Sequence, residues 1–501
     1  MKNLLKTIIA TFAVVITVSC NNDDDIFQIE PGVVGPNVQV YGLSSTNELV
    51  SFNANNPSTF TSKIGITGIT GAEKLLSIDF RPATGELYAV SDASKFYIIN
   101  TSTASARLVS TTPFVPAISG SIASIDFNPT VDRIRLVTNT GQNLRLNPEN
   151  GAIAATDGSI SGGASPVISG VAYTNSVSGA SSTTLYDLDA TSGKLYKQDP
   201  PNNGTLVEVG NTGISFTGQA AFDISPDNSI ALMAATSSSQ ENLYTLDLAN
   251  GKAVNIGKLP SKVIDLAIPT KSVAYAVNAA NALQIFDPTN PIPVTKAITG
   301  LQASESILGI DFRPLNGQLY ALGSSSRIYT INLGNGAATV VGGQLTTLLS
   351  GTDFGFDFNP TVDRIRVVSN TGQNLRLNPI DGSTIIDGTI NPGTPALSAA
   401  AYTNNFAGAT TTTLFVIDAT TDRLYQQNPA NSGTLVDVGA LGINVVSTNG
   451  FDIGSKSQTA YSILTVGTET KIYTINTTTG AATSVSNFPN TVKGFSVGLG
   501  F

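Results

Sequence analysis

The chain has 501 residues, only 12% of them charged, with 47 glycines, one cysteine, no tryptophan and no histidine. The missing histidine excludes Ser-His-Asp, Cys-His and His-metal chemistry, and the lone cysteine excludes an internal disulfide. A net charge of −9 argues against a nucleic-acid partner, which needs clustered Lys and Arg, and leaves a composition suited to short strands and polar turns.

Residues 1–19 set Lys2 and Lys6 ahead of an apolar run from Ile8 to Val18, the layout of a secretory signal and too short for a comfortable membrane span. Val18-Ser19-Cys20 resembles a bacterial lipobox, with Thr17 where Leu is usual, so Cys20 is the expected lipidation site. Residues 20–36 read as an acidic, solvated tether opening on Asn21-Asn22-Asp23-Asp24-Asp25. That stretch also resembles the acidic segment of surface-exported lipoproteins in Bacteroidota-type bacteria. The expected location is the bacterial outer membrane, lipid-anchored and facing the cell surface.

Beyond the tether, ten segments read as the same strand closing on Asn or Asp: 49–53, 96–100, 143–147, 195–199, 243–247, 283–287, 328–332, 374–378, 424–428 and 472–476. Their terminal residues lie 40 to 52 positions apart. A repeat of that length carrying several short strands is the mark of β-propeller blades. Each unit runs from an apolar stretch such as Leu76-Ser77-Ile78-Asp79-Phe80, through a polar turn and a second strand, to the Asx-ended strand and a final one. The terminal Asn or Asp reads as turn chemistry, because its side chain bonds the backbone two residues on.

The units also form a tandem pair. LSIDFRP at 76–82 returns as LGIDFRP at 308–314, and DFNPTVDRIRLVTNTGQNLRLNP at 126–148 returns at 357–379 with 21 of 23 residues identical. AYTN at 172–175 returns at 401–404, and GTLV at 204–207 returns at 433–436. The segments IDFRP, DFNPTVDRIR, NTGQNLRLNP, AYTNN and NPANSGTL resemble the DUF4394 family of secreted bacterial proteins over residues 38–268 and 272–498. That resemblance implies a propeller-like fold of unknown function, normally in one copy, with no catalytic residues to carry over.

The expected fold is therefore all-β, with ten blade-like repeats forming two five-bladed propellers, 37–268 and 269–501; one ten-bladed ring is the alternative. The N-terminal unit lacks a leading strand. VIDLAI at 263–268 and VKGFSV at 492–497 occupy equivalent places and are the candidates to complete a unit begun elsewhere.

The constellation most suggestive of a site is Arg133 and Arg135 with Asn143 and Arg145, repeated as Arg364 and Arg366 with Asn374 and Arg376. Strand alternation puts the three guanidiniums of each set on one side of a unit. They suit an anionic ligand or partner; the structural alternative pairs them with Asp126, Asp132 and backbone carbonyls. The acidic stretch at 187–193 has a calcium-loop look, but its repeat carries Val416 in place of Asp187, so no metal and no cofactor is expected. The expected function is a non-enzymatic, lipid-anchored surface scaffold that binds a glycan or protein partner. The alternatives are a carboxylate-based polysaccharide hydrolase or lyase, with Asp79, Asp126, Asp311 and Asp357 as the pairs to inspect, and a purely structural surface component.

Overall fold

A computed structural model describes residues 33–216, 218–446 and 450–501. Cys20, the signal segment and the tether up to residue 32 lie outside the described residues. Val33–Phe501 forms one compact unit of ten antiparallel sheets, each of four strands. Among the described residues the only helical pieces are the short turns Pro201–Asn203 and Ala430–Ser432, and no helix is long and apolar enough to cross a membrane.

Eight sheets consist of four strands consecutive in the chain. The other two borrow their leading strand. Gln39–Ser44, Glu48–Asn53 and Ser62–Gly65 are completed by Val263–Ala267, with Gly42 opposite Leu266. Ala274–Asn278, Ala282–Asp287 and Asn290–Ala297 are completed by Val492–Val497, with Tyr275 opposite Ser496. Both closing segments are those singled out in the sequence, and each half takes its missing strand from its own end.

The leading strands also pack on one another. In the first half Val263–Ala267, Leu75–Phe80, Ala123–Asn128, Ile168–Tyr173 and Ala221–Ile224 follow one another as neighbours, and the last returns to the first. In the second half Val492–Val497, Ile307–Arg313, Phe354–Asn359, Leu397–Tyr402 and Gly450–Ile453 make the same circuit. Both faces of such strands are covered, so they read as nearly continuous buried runs, while the fourth strands, such as Ser62–Gly65, stay largely exposed. The core lies between consecutive sheets, where edge-on ring pairs recur: Tyr88 with Phe127, Tyr275 with Phe312 and Tyr320 with Phe358, each 5.1 Å apart.

All ten Asx-ended segments are the third strand of their sheet. Among the described residues eight of the terminal side chains do the turn work expected of them; Asp199 and Asn428, each followed by proline, do not. Asn100 Oδ1 accepts from the N–H of Ser102 at 2.9 Å, Asn147 Oδ1 from Glu149 at 3.0 Å, and Asn476 Oδ1 from Thr478 at 2.9 Å.

The halves meet through a polar seam. Arg81 is fully buried; its Nη1 donates to the carbonyl of Gly317 at 3.1 Å, while Nε and Nη2 hold Asp132 and Glu149 at 2.9 and 2.8 Å. Tyr275 donates to the carbonyl of Ala83 at 2.9 Å, and the N–H of Gly500 to that of Thr84 at 2.7 Å. The Phe501 ring lies on Gly85, whose φ is +76° and where a Cβ would come within 2.3 Å of the ring.

If each half closes on its own end, a chain stopped at residue 491 leaves Ala274–Asn278 without its partner and opens the second circuit. We expect hydrogen exchange to show lost protection across residues 274–487 and retained protection in the strands of the first half. Equal loss in both halves would contradict separate closure.

Candidate functional site

A leading strand pairs through one edge only, and its other edge faces the next leading strand with N–H groups that must find acceptors in a dry interior. Short acidic side chains supply them. Asp79 Oδ2 accepts from the N–H of Phe127 at 2.8 Å, Asp126 from Tyr173 at 3.1 Å, and Asp223 from Ile268 at 2.5 Å. Asp265 accepts from the hydroxyl of Ser77 and, at 2.9 Å, from the N–H of Ile78. In the second half Asp311 caps Phe358 at 2.8 Å, Asp357 caps Tyr402 at 2.9 Å and Asp452 caps Val497 at 2.7 Å. Ser496 completes that set by donating to Asp311 at 2.8 Å and Asp452 at 3.1 Å.

One carboxyl oxygen from each of Asp79, Asp126 and Asp223 lies within 4.8 Å of the other two, and the same holds for Asp311, Asp357 and Asp452. An all-oxygen set of that kind is what a hard cation would take. Here Asp79, Asp223, Asp311 and Asp452 give both oxygens to backbone N–H groups, Asp126 and Asp357 give one, and none is more than 5% exposed. Burial, then neighbouring carboxylates, lifts Asp79, Asp126, Asp311 and Asp357 well above the usual carboxylate range. Burial alone pushes Asp223 and Asp452 up to about 7, and burial assisted by Asp223 pushes Asp265 up to about 8. Burial thus disfavours their ionised form, and at this depth they are closed to any substrate of sugar size.

The two halves differ one layer along the axis. In the first, Ser77 accepts from Ile125 at 2.9 Å and Ser124 from Val171 at 3.0 Å, beside Asp265. The equivalent positions in the second half are Gly309, Gly355 and Gly494. The strands come so close there that a Cβ on Gly355 would lie 2.6 Å from that of Ala400. What remains is a cavity of about 10 Å³, room for one water.

The arginine constellation is drawn together around a different acid from those expected. Arg135, 1% exposed, donates to Asp157 at 2.6 Å, Asn143 at 2.7 Å, Asn202 at 2.8 Å and Tyr173 at 3.2 Å. Arg145 grips the same Asp157 with both prongs, at 2.7 and 2.9 Å. Arg366, Asn374, Arg376 and Asp387 repeat the arrangement. Arg133 and Arg364 stay apart, each donating to the carbonyl of the preceding residue at 2.8 Å. Asp126 instead lies on the axis, and Asp132 holds Arg81. The true partner sits in an Asp-Gly pair, Asp157-Gly158 and Asp387-Gly388, a repeated dipeptide that reads as a turn. Side-chain bonds from the arginines, against the cost of burial, hold Asp157 and Asp387 below the usual range.

The calcium-like stretch also resolves into a turn: Asp189 Oδ1 accepts from Val167 and Thr191, both at 2.9 Å, and Oδ2 from Ser192 at 2.6 Å. Asp187 is fully buried with neither oxygen bonded, and burial pushes it up to about 8.

Among the described residues a depression of ligand size is formed. Between the halves lies a cleft of about 540 Å³, within the range of small-molecule sites. Its first-half wall is the turn from Asn100 to Ser105 with Glu86 and Arg107; its second-half wall carries Phe406, Ser455 and Lys456. Glu86 is the only acid lining it, and it is bound to Arg107 at 2.8 Å. The sequence reading missed this cleft, because it lies between copies rather than within a repeat.

A family model described as a domain of unknown function (DUF4394) matches residues 48–267 and 282–496. No curated protein matches the chain. Solved structures similar to it include the extracellular domain of the hybrid two-component system BT4673 from B. thetaiotaomicron, at 11% identity and a TM-score of 0.27, covering 93% of this chain and 68% of that one. Another is dihydro-heme d1 dehydrogenase NirN, at 11% identity and a TM-score of 0.25, covering 80% and 72%. Likenesses this weak bear on neither fold nor function.

Arg135→Ala and Arg366→Ala each leave a gripped carboxylate short of a partner, so urea unfolding should show losses of about 3–5 kcal/mol. A variant that melts like the parent would return these arginines to the list of ligand groups. Asp187→Val, which restores the residue found at the equivalent position 416, should instead stabilise the chain by about 1–3 kcal/mol at pH 8. A loss on that substitution would mean that Asp187 has a polar role.

Proposed function

The chain belongs to the DUF4394 family, as two copies in tandem, and from that premise we propose a non-catalytic, ligand-binding scaffold built of two five-bladed propellers. The propeller reading is supported by the five-membered circuit of leading strands in each half and by the strand each half takes from its own end. The observation that carries the binding reading is where the acids are. Hydrolysis of a glycosidic bond with two carboxyls needs both beside the sugar. Among the described residues the clustered carboxyls are engaged elsewhere, those of the leading strands as buried N–H caps and Asp132 with Glu149 on Arg81, whereas the open cleft offers only Glu86, already paired with Arg107.

Attachment follows from the leader. Cleavage before Cys20 and acylation of its thiol would place the scaffold on the outer membrane with residues 20–36 as tether. Several acyl chains at about 0.8 kcal/mol per buried CH₂ hold a protein firmly.

Two measurements test the reading. The folded chain on a glycan array should retain at least one oligosaccharide and release it unchanged after prolonged incubation; shortened products would favour the hydrolase or lyase. A Cys20→Ser variant should leave the membrane fraction, and full membrane association of that variant would contradict the anchor.

A further inference from the structure

The cleft between the halves is not a product of the repeat. Its second-half wall includes the loop of residues 404–409, whose first-half counterpart, 175–180, is used differently: Ser178 meets the Tyr275 hydroxyl at 2.6 Å and Gly179 packs toward Val294, closing the halves on each other. In the second copy the same loop carries Phe406 in place of Val177 and Ala407 in place of Ser178. Phe406 is 41% exposed and lines the cleft. An aromatic face set in a concave wall is a platform for the C–H face of a sugar ring, and the polar residues Thr101, Ser102 and Ser105 line the opposite wall.

Charge narrows the ligand further. Arg107 is compensated by Glu86, and its prongs also hold the carbonyls of Leu315 at 2.6 Å and Pro314 at 3.1 Å. Lys456 is exposed on the rim, and among the described residues its Nζ donates only to the hydroxyl of Thr101, at 3.2 Å, across the gap. With Glu86 the only acid in the lining, one positive charge is left uncompensated. A neutral hydroxyl is a weak partner for an ammonium, and a carboxylate displaces it readily.

We infer that the cleft binds an oligosaccharide bearing carboxylates, a run of uronic acid residues, with one ring on Phe406 and one carboxylate on Lys456. This rests on the reading of the cleft as the ligand site. The probes are trigalacturonate and neutral galactotriose, titrated calorimetrically into the full chain. The parent should bind trigalacturonate, more weakly as salt rises, and galactotriose at least about tenfold less tightly. Lys456→Gln and Phe406→Ala should each weaken trigalacturonate binding by about tenfold or more. Lys63→Gln, which removes an equal charge outside the cleft, should leave it unchanged. Equal affinity for the two probes, or parent-like binding by Lys456→Gln, overturns the acidic class; loss of binding in Phe406→Ala alone would then still support the cleft. Parent-like binding by both cleft variants overturns the cleft as the site. Failure of the parent to bind trigalacturonate overturns the class, and the glycan array decides separately whether the chain binds sugars at all.

Discussion

The whole arrangement depends on one requirement: the free edge of each leading strand must have its N–H groups satisfied in a place water does not reach. A buried N–H left without an acceptor costs about 1–3 kcal/mol, and one circuit contains several. An aspartate on the preceding strand meets the need because its side chain is short enough to reach the next strand and its two oxygens accept separately. Asp79 shows this, taking Phe80 with one oxygen and Phe127 with the other. The same burial that makes the cap necessary works against ionisation of the carboxyl. Chemistry that the aspartates could perform in water is thereby given up for closure of the circuit.

Closure also explains what the copies keep and what they change. The arginine seam around Asp157 recurs around Asp387 nearly atom for atom, because it ties the third sheet of each half to the fourth through Asn202 and Asn431. The axial layer has drifted, from Ser77, Ser124 and Asp265 to glycines. The surfaces that meet between the halves have diverged as well. Arg81 is fully buried and bonded across to Gly317, whereas Arg313, its repeat, holds Asp363 within its own half. Two copies of one fold can face each other only by becoming unequal there, and the cleft is where they meet only through bridges such as Lys456 to Thr101 and Arg107 to Leu315.

Much of the fold was legible in the sequence for a local reason. An Asx-ended strand followed by a turn is complete within a few residues, so ten of them could be counted, and the closing strands showed as apolar runs left over at the end of each half. Four of the axial acids, Asp79, Asp126, Asp311 and Asp357, stood out because they sit in repeated motifs. Asp223 and Asp452 carry the same signal, Phe-Asp-Ile in both copies, and were overlooked because nothing else around them repeats strongly. The partner of the arginines was misassigned, since spacing along a strand cannot say which turn folds back over it. Phe406 and Lys456 could not have been found by comparing repeats: their meaning lies in what faces them from the other copy.

The claim that the axial acids are sealed caps whose ionised form burial disfavours is tested most directly by unfolding free energy against pH, measured in urea with chelator present. An unfolded aspartate titrates near about 3.9. In the folded chain Asp223 and Asp452 are pushed up to about 7, and Asp187 and Asp265 to about 8. Between about pH 4 and pH 8 the folded chain therefore holds more protons than the unfolded one, and stability falls as pH rises. Asp157 and Asp387, held low, act in the opposite sense and only toward acid. The expected result is a chain clearly more stable at pH 5 than at pH 8. Equal or greater stability at pH 8 would mean that burial does not hold these carboxyls above their ordinary range, and would contradict the account.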